Sequence, residues 1–266
     1  MTDVARYGPW AVVAGASEGI GEHAARQLAA DGFSLMLVSR RSEVLEQLAA
    51  SILADAPAVE VTTLALDLSL EGAADRLAAA VDGLEVGLLL YNAGADTGPV
   101  AFHDRPLDDV LGMVRRNVVT PTALCQTLGS RMRERGRGGI VVIGSMSGIS
   151  GAALIATYSA TKAYQQILCE GLWRELAPSG VDVVAVIAGA TATPAHHRTG
   201  AVPSEAFPQA DPSDVARAAL AALGHGPVRG AGDDLDAGFR MLNGLPREQL
   251  IDMMSAGTRA VYGLDG

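Results

Sequence analysis

Aromatic side chains are scarce in this chain, at 4% of its 266 residues. That argues against a pocket built to stack a flat aromatic ligand. Cysteine is scarcer still: Cys125 and Cys169 are the whole complement. Both fall inside stretches that read as helix, so buried reduced thiols are expected rather than a disulfide, which fits a cytoplasmic compartment. Basic residues are outnumbered, with 20 Lys and Arg against 30 Asp and Glu and a formal net charge of −10. A surface of that sign disfavours nucleic acid and anionic membranes as partners. The one basic cluster, Arg131 to Arg137, sits where a helix is expected to end, and cations there suit the helix dipole. Hydrophobic residues reach 49%, yet Gly and charge interrupt the apolar runs. None approaches the roughly 20 residues of a membrane span. The opening Met1-Thr2-Asp3-Val4-Ala5-Arg6 lacks a basic stretch leading into an apolar one, so no signal peptide is expected. Internal repeats and low-complexity linkers are also missing.

What is present is alternation. Apolar strand-like runs near 10–15, 33–39, 59–66, 86–91, 139–144 and 181–188 are separated by helix-like stretches. Those helices read near 19–31, 42–55, 70–82, 106–134 and 155–177, and a last pair near 213–223 and 247–260 follows a Pro- and Gly-rich stretch. This pattern predicts an α/β domain, a doubly wound parallel sheet with helices on both faces. The length suits one domain with a substantial core. In such sheets ligands bind at the carboxyl ends of the strands. Gly15, Ser39, Asp67, Asn92, Ser145 and Gly189 all fall at such ends.

Three local patterns carry chemistry. Tyr158 and Lys162 stand four apart in Tyr158-Ser159-Ala160-Thr161-Lys162, and on a helix that spacing puts them on one face, about 6 Å apart. A cation there favours the phenolate over the phenol, whose pKa is ordinarily about 10. The tyrosine then becomes able to exchange protons near neutral pH. Ser145 precedes the pair at the end of an apolar strand. Near the start, Ala14-Gly15-Ala16-Ser17-Glu18-Gly19-Ile20-Gly21 joins a strand to a helix. Glycines there let the backbone turn tightly and approach a ligand, and the free N–H groups of the helix start meet a pyrophosphate. The bland alternative is a tight turn with no ligand.

Taken in order, these motifs resemble the short-chain dehydrogenase/reductase family, from about Tyr7 to Thr193. They are the Gly15/Gly19/Gly21 loop, Asp67, Asn92-Ala93-Gly94, Asn117, Ser145, Tyr158 with Lys162, and Gly189 with Thr193. The resemblance implies a Rossmann-type single domain over residues 1–266, with a cofactor-binding and catalytic core at 1–193 and a substrate loop and C-terminal helices at 194–266. It implies a catalytic set of Asn117, Ser145, Tyr158 and Lys162. Tyr158 would protonate a carbonyl oxygen as hydride arrives, Lys162 would lower the tyrosine pKa and hold the nicotinamide ribose, and Ser145 would bond the substrate oxygen. Asn117 would support a water relaying protons to Lys162. Read as isolated residues, Ser145 is as well a strand cap and Asn117 a core amide.

The implied cofactor residues are Gly15, Ser17, Glu18, Gly19, Ile20, Gly21, Ser39, Arg40, Arg41, Asp67, Leu68, Asn92, Ala93, Gly94, Tyr158, Lys162, Gly189, Thr191 and Thr193. Enzymes preferring NAD(H) place an acid at the end of the second strand. Here Ser39 is followed by Arg40 and Arg41, and guanidinium is the usual partner of phosphate. NADP(H) is therefore expected over NAD(H), with Glu18 in the glycine loop as a point against it. The two arginines read alternatively as solvated residues at a helix start, and Asp67 as either an adenine ligand or a helix N-cap. Ala14, Tyr91 and Ala188 depart from the family pattern. The first two are expected to remove side-chain hydrogen bonds that brace the loop or the strand, and Ala188 frees a backbone angle that proline would fix.

The stretch before the glycine loop, Tyr7-Gly8-Pro9-Trp10-Ala11-Val12-Val13, resembles very-long-chain 3-oxoacyl-CoA reductases and related 17β-hydroxysteroid dehydrogenases. Eukaryotic members of that branch carry membrane segments, and none is readable here. Met146, Ala152, Leu154, Ala190 and Met241 are the pocket candidates, and their apolar character implies a hydrophobic ketone or secondary alcohol. Met253 and Met254 read as core packing or as flexible contact with substrate. His196 and His197, with Pro203 and Pro208, are expected on a loop over the substrate, and no metal site is read from them. Apolar residues on the helix after Tyr158, Ile167 or Trp173 among them, exceed what one sheet face needs. A homodimer or homotetramer is expected through that helix. A non-catalytic NADP(H)-binding regulator on the same fold is the alternative to a reductase.

Overall fold

The computed structural model describes residues 1–94, 98–202 and 208–264. Seven strands form one parallel sheet in the order β3-β2-β1-β4-β5-β6-β7. They are β1 Trp10–Ala14, β2 Ser34–Ser39, β3 Val61–Ala65, β4 Val86–Tyr91, β5 Gly138–Ser145, β6 Val181–Ala188 and β7 Val228–Gly230. Six were expected within a residue or two. β7 was not, because three residues behind a proline show no periodicity.

The strands alternate their side chains between two packed faces, as a doubly covered sheet requires. Ala11 and Val13 of β1, with Leu88 and Leu90 of β4, join one buried cluster, together with Tyr7 of the short helix α1 Val4–Tyr7 and with α2 Gly19–Ala30, α3 Ser42–Asp55 and α9 Pro212–Ala221. Val12, Ala14, Leu89 and Tyr91 join the other, with α4 Ala73–Ala80, α6 Thr120–Arg135 and α7 Ala156–Leu176. Cys125 and Cys169 are free thiols buried in this second cluster. The strand order reverses between β1 and β4. Ala14 pairs in register with Tyr91, so Gly15 and Asn92 leave the sheet side by side at the crevice where ligands bind in this topology.

One expected helix is interrupted. The stretch near 106–134 resolves into α5 Leu107–Val114, a π-helical turn Arg115–Val119, and α6. Thr120 N–H bonds back five residues to the Arg115 carbonyl. Pro121 supplies the reason: it lacks an N–H, and its ring would crowd the Asn117 carbonyl in a regular α turn. Widening the turn relieves that clash and keeps Asn117 fully buried, 0% exposed.

The basic cluster ends α6 at Gly136, where Arg131 pairs with Asp82, and Arg135 and Arg137 with Glu85. α10 Asp233–Asn243 and α11 Arg247–Val261 close over the carboxyl end of the sheet through a small cluster of Ile149, Ile187, Phe239 and Leu250. Among the described residues, no helix is long and apolar enough to cross a membrane.

Candidate active site

The carboxyl ends of the strands open into one cleft of about 1640 Å³. Its floor is the glycine loop. Gly15 has φ +86°, and a Cβ there would lie 2.8 Å from the Ala93 nitrogen. A Cβ on Gly21 would lie 2.1 Å from the Gly15 carbonyl oxygen. The loop therefore packs only as glycine, and Asn92 Nδ2 pins it by donating to the Gly15 carbonyl at 3.0 Å. No side chain caps the start of α2, so its first N–H groups are left for a ligand. Crevice, glycine turn and open helix start together fit a dinucleotide pyrophosphate.

Gly15, Ser17, Glu18, Ile20, Ser39, Arg40, Arg41, Asp67, Leu68, Asn92, Ala93, Gly94, Gly189, Thr191 and Thr193 all line this cleft. Gly19 and Gly21 shape the turn beneath it. Arg41 is engaged within the protein: it donates to Ser17 Oγ at 3.0 Å and to Glu18 at 2.6 Å. Glu18 also binds Arg198, which ends the short helix α8 Pro194–Arg198. Burial alone would raise the Glu18 carboxyl, but Arg198 and Arg41 outweigh it and hold it below the usual range. The acid in the glycine loop thus clasps the segment after β6 to the end of β2. Asp67 lines the cleft and is not a helix N-cap, since Gly72 takes that place before α4. Its Oδ1 accepts from Ser69 N at 2.9 Å and Ser69 Oγ at 2.6 Å, bracing the turn after β3, and these bonds hold the carboxyl low against the rise burial would cause.

Tyr158, Lys162 and Ser145 line the same cleft. Lys162 is the sole lysine of the chain, and its side chain is buried, 3% exposed. Its Nζ lies 5.8 Å from the centre of the Tyr158 ring, and donates to Ile143 O at 2.8 Å and Gln165 Oε1 at 3.0 Å. Burial, with help from the Arg116 guanidinium, pushes Lys162 from 10.5 down to about 7. Ser145 Oγ caps the turn after β5 by accepting from Ser147 N at 3.1 Å. Asn117 lies behind Lys162. Its Nδ2 donates to Thr161 Oγ1 at 3.0 Å, and Thr161 donates to the Tyr158 carbonyl at 2.8 Å. Gln165 bridges the Asn117 main chain and Lys162 Nζ, and Asn117 Oδ1 is buried without a partner among the described residues.

Several expectations need correction. Met146 and Ala190 line the cleft. Met241 does not: it is 67% exposed on the outer face of α10, whose inward residues are Leu235, Phe239 and Leu242. Ala152 is buried away from the lining. Leu154 faces a separate small hollow with Val100, Phe102 and Met113. It holds φ +68°, a left-handed conformation strained for a leucine. The apolar roof comes instead from Leu235, Leu242, Met253, Met254 and Val261. Their helical spacing was the available signal. Tyr91 does not remove a brace: it is buried, and its hydroxyl donates to the Arg116 carbonyl at 2.5 Å, holding the π turn. Trp173 packs on the sheet-side core. His196 and Pro208 line the cleft, while Pro203 lies outside the described residues. Sequence reading missed Arg116, which lines the cleft beside Asn117, and Gln165.

The chain matches the family model described as short chain dehydrogenase over residues 9–202. It is 38% identical over 185 residues to a very-long-chain 3-oxoacyl-CoA reductase of Podospora anserina, covering 68% of this chain and 54% of that protein. It thus spans about half of that relative. A solved structure of a 7beta-hydroxysteroid dehydrogenase superposes with a TM-score of 0.87 at 27% identity, covering 96% of this chain and 99% of the other. A short-chain dehydrogenase from Sphingobium yanoikuyae, solved in complex with NADPH, superposes with a TM-score of 0.79 at 29% identity over 92% of this chain and 95% of the other. The seven-stranded parallel sheet agrees with these likenesses, and the chain belongs to the short-chain dehydrogenase family.

Proposed function

We propose that this protein is an NADP(H)-dependent oxidoreductase interconverting hydrophobic ketones and secondary alcohols. The observation that carries the reading is the convergence of Tyr158, Lys162 and Ser145 in the same cleft as the glycine loop. The glycine loop and Lys162 would hold a reduced nicotinamide cofactor, which would supply a hydride for the carbonyl carbon. The Tyr158 hydroxyl would give its proton to the carbonyl oxygen, and Ser145 Oγ would hold that oxygen in place. Lys162, charged, would stabilise the phenolate left behind and bond the ribose hydroxyls. The lowered Lys162 implies that an anionic ligand, by restoring the ammonium, completes the pair as it binds. Residues 194–266 form the substrate side.

NADP(H) is favoured by Arg40, which lines the cleft at the end of β2 where an acid would repel a 2′-phosphate. The NADPH complex of the Sphingobium relative supports the same reading. Arg41 is shared with Glu18, which leaves Arg40 as the principal phosphate contact.

Within this class, a bulky ring ketone is favoured over an acyl-CoA. The structural likeness to the 7beta-hydroxysteroid dehydrogenase extends over 96% of this chain, which supports that reading. Asp233 and Asp234 also line the cleft beside the apolar roof, and they oppose a polyanionic carrier. A homodimer fits the exposed apolar residues Val119 on the π turn and Tyr164 and Ile167 on α7, at 56%, 38% and 62% exposure. NADPH consumption screened over ring ketones, 3-oxoacyl thioesters and linear ketones tests the reading. Turnover of ring ketones above the others is expected. NADPH binding without turnover of any carbonyl would instead support a regulator.

A further inference from the structure

Between Asn117 and Lys162 stands a side chain that the family pattern did not bring to notice. Gln165 Nε2 donates to the Asn117 carbonyl oxygen at 2.8 Å, and Gln165 Oε1 accepts from Lys162 Nζ at 3.0 Å. Gln165 is 1% exposed, so neither end is shared with bulk water. Chemistry fixes the orientation of the amide: the reverse would set N–H against ammonium and oxygen against carbonyl. The sequence prepares both ends. Residue 121 is proline and has no N–H to offer the Asn117 carbonyl in an α-helical pattern. Gln165 follows Lys162 by three residues on α7, and that spacing puts them on one face.

An ammonium has three protons. Two of them go to Ile143 O and Gln165 Oε1, which leaves one for the cleft that Lys162 lines. The charged or titratable groups facing Nζ are Tyr158 on its own helix and Arg116 on the π turn. Arg116 and burial both oppose the charge, so carbonyl and amide dipoles are what sustain it. We propose that Gln165 is a positioning residue, whose side-chain amide ties the Asn117 main chain to Lys162, sustains the ammonium beside Tyr158 and aims its third proton into the cleft. The proposal rests on the reading of Tyr158 and Lys162 as the catalytic pair.

A single lysine makes the test direct. In protein labelled at lysine with an NMR-active nitrogen, the Lys162 Nζ resonance can be followed against pH without cofactor or substrate. Gln165→Leu keeps the bulk and removes the acceptor, so the titration midpoint falls by about one pH unit, the worth of a lost hydrogen bond to a charged group. Gln165→Glu sets a carboxylate in its place, and the midpoint rises by about as much or more. The pH at which NADPH affinity weakens moves the same way in each variant, since the cofactor is anionic. Midpoints that coincide with the wild type in both variants overturn the proposal. Should the Leu variant fail to fold, the Glu variant decides alone: an alkaline midpoint supports the role and an unmoved one refutes it. The resonance needs no turnover, so a wild type inert toward carbonyls would fail the proposed function without disturbing this result.

Discussion

Removing the buried charge by Lys162→Met should flatten one part of the pH dependence of stability. Lys162 titrates near 10.5 when exposed and at about 7 in the folded protein, chiefly because burial strips its solvent and secondarily because Arg116 opposes it. Below pH 7 both states hold the proton, so the full cost of burying the charge is present and the slope is zero. Between pH 7 and 10.5 the unfolded chain holds a proton that the folded protein lacks, so raising the pH favours folding. The slope is about 1.4 kcal/mol per pH unit. Over the whole window it amounts to roughly 4–5 kcal/mol. Methionine has similar length and no charge, so it lacks this slope. Other groups, including the raised Cys125 thiol, cancel in the difference between the two proteins. Urea unfolding of cofactor-free wild type and variant at several pH values from 7 to 9 gives that difference, with Trp10 and Trp173 as reporters. Wild type should gain on the variant by about 2–3 kcal/mol across those two units. Parallel curves would refute a buried, depressed lysine.

Further outcomes follow from the cofactor wall and the surface. Arg40→Ala should raise KM for NADPH roughly ten- to hundredfold, the worth of one charge-assisted contact, and leave NADH nearly unchanged. Ser39→Asp should turn preference toward NADH, and equal use of both cofactors by the wild type would contradict the assignment. Glu18→Gln should release Arg41 and lower KM for NADPH several-fold, about 1 kcal/mol; a raised KM would show that the clasp to Arg198 matters more. Ile167→Glu places a charge on the exposed apolar face and should convert a dimer to a monomer in light scattering, whereas an unchanged mass would exclude that face as the interface.

How much was legible from the residues depended on how local each signal was. Strands and helices followed from periodicity, and the Tyr158–Lys162 face and the glycine loop from spacing within one or two turns. The π turn was missed although Pro121 announces a disturbance, because sequence does not say whether a helix breaks, bends or widens there. Gln165 was missed because its importance depends on two carbonyls and an ammonium brought together from β5, α7 and the π turn. Met241 was misplaced for a simpler reason. In α10 the inward residues Leu235, Phe239 and Leu242 follow helical spacing, and 241 falls on the opposite face, so residue type outweighed phase. The pairing of Arg41 with Glu18 was not legible because the two lie 23 positions apart.

The central claim is that Tyr158 is the proton donor for a carbonyl reduced in this cleft. Tyr158→Phe removes the hydroxyl and keeps the ring. Single-turnover oxidation of NADPH by a ring ketone, measured beside NADPH affinity in the same protein, tests it most directly. The account predicts a rate about a thousandfold lower or worse with affinity for NADPH unchanged, and near wild-type turnover in the Tyr158→Phe protein would contradict it.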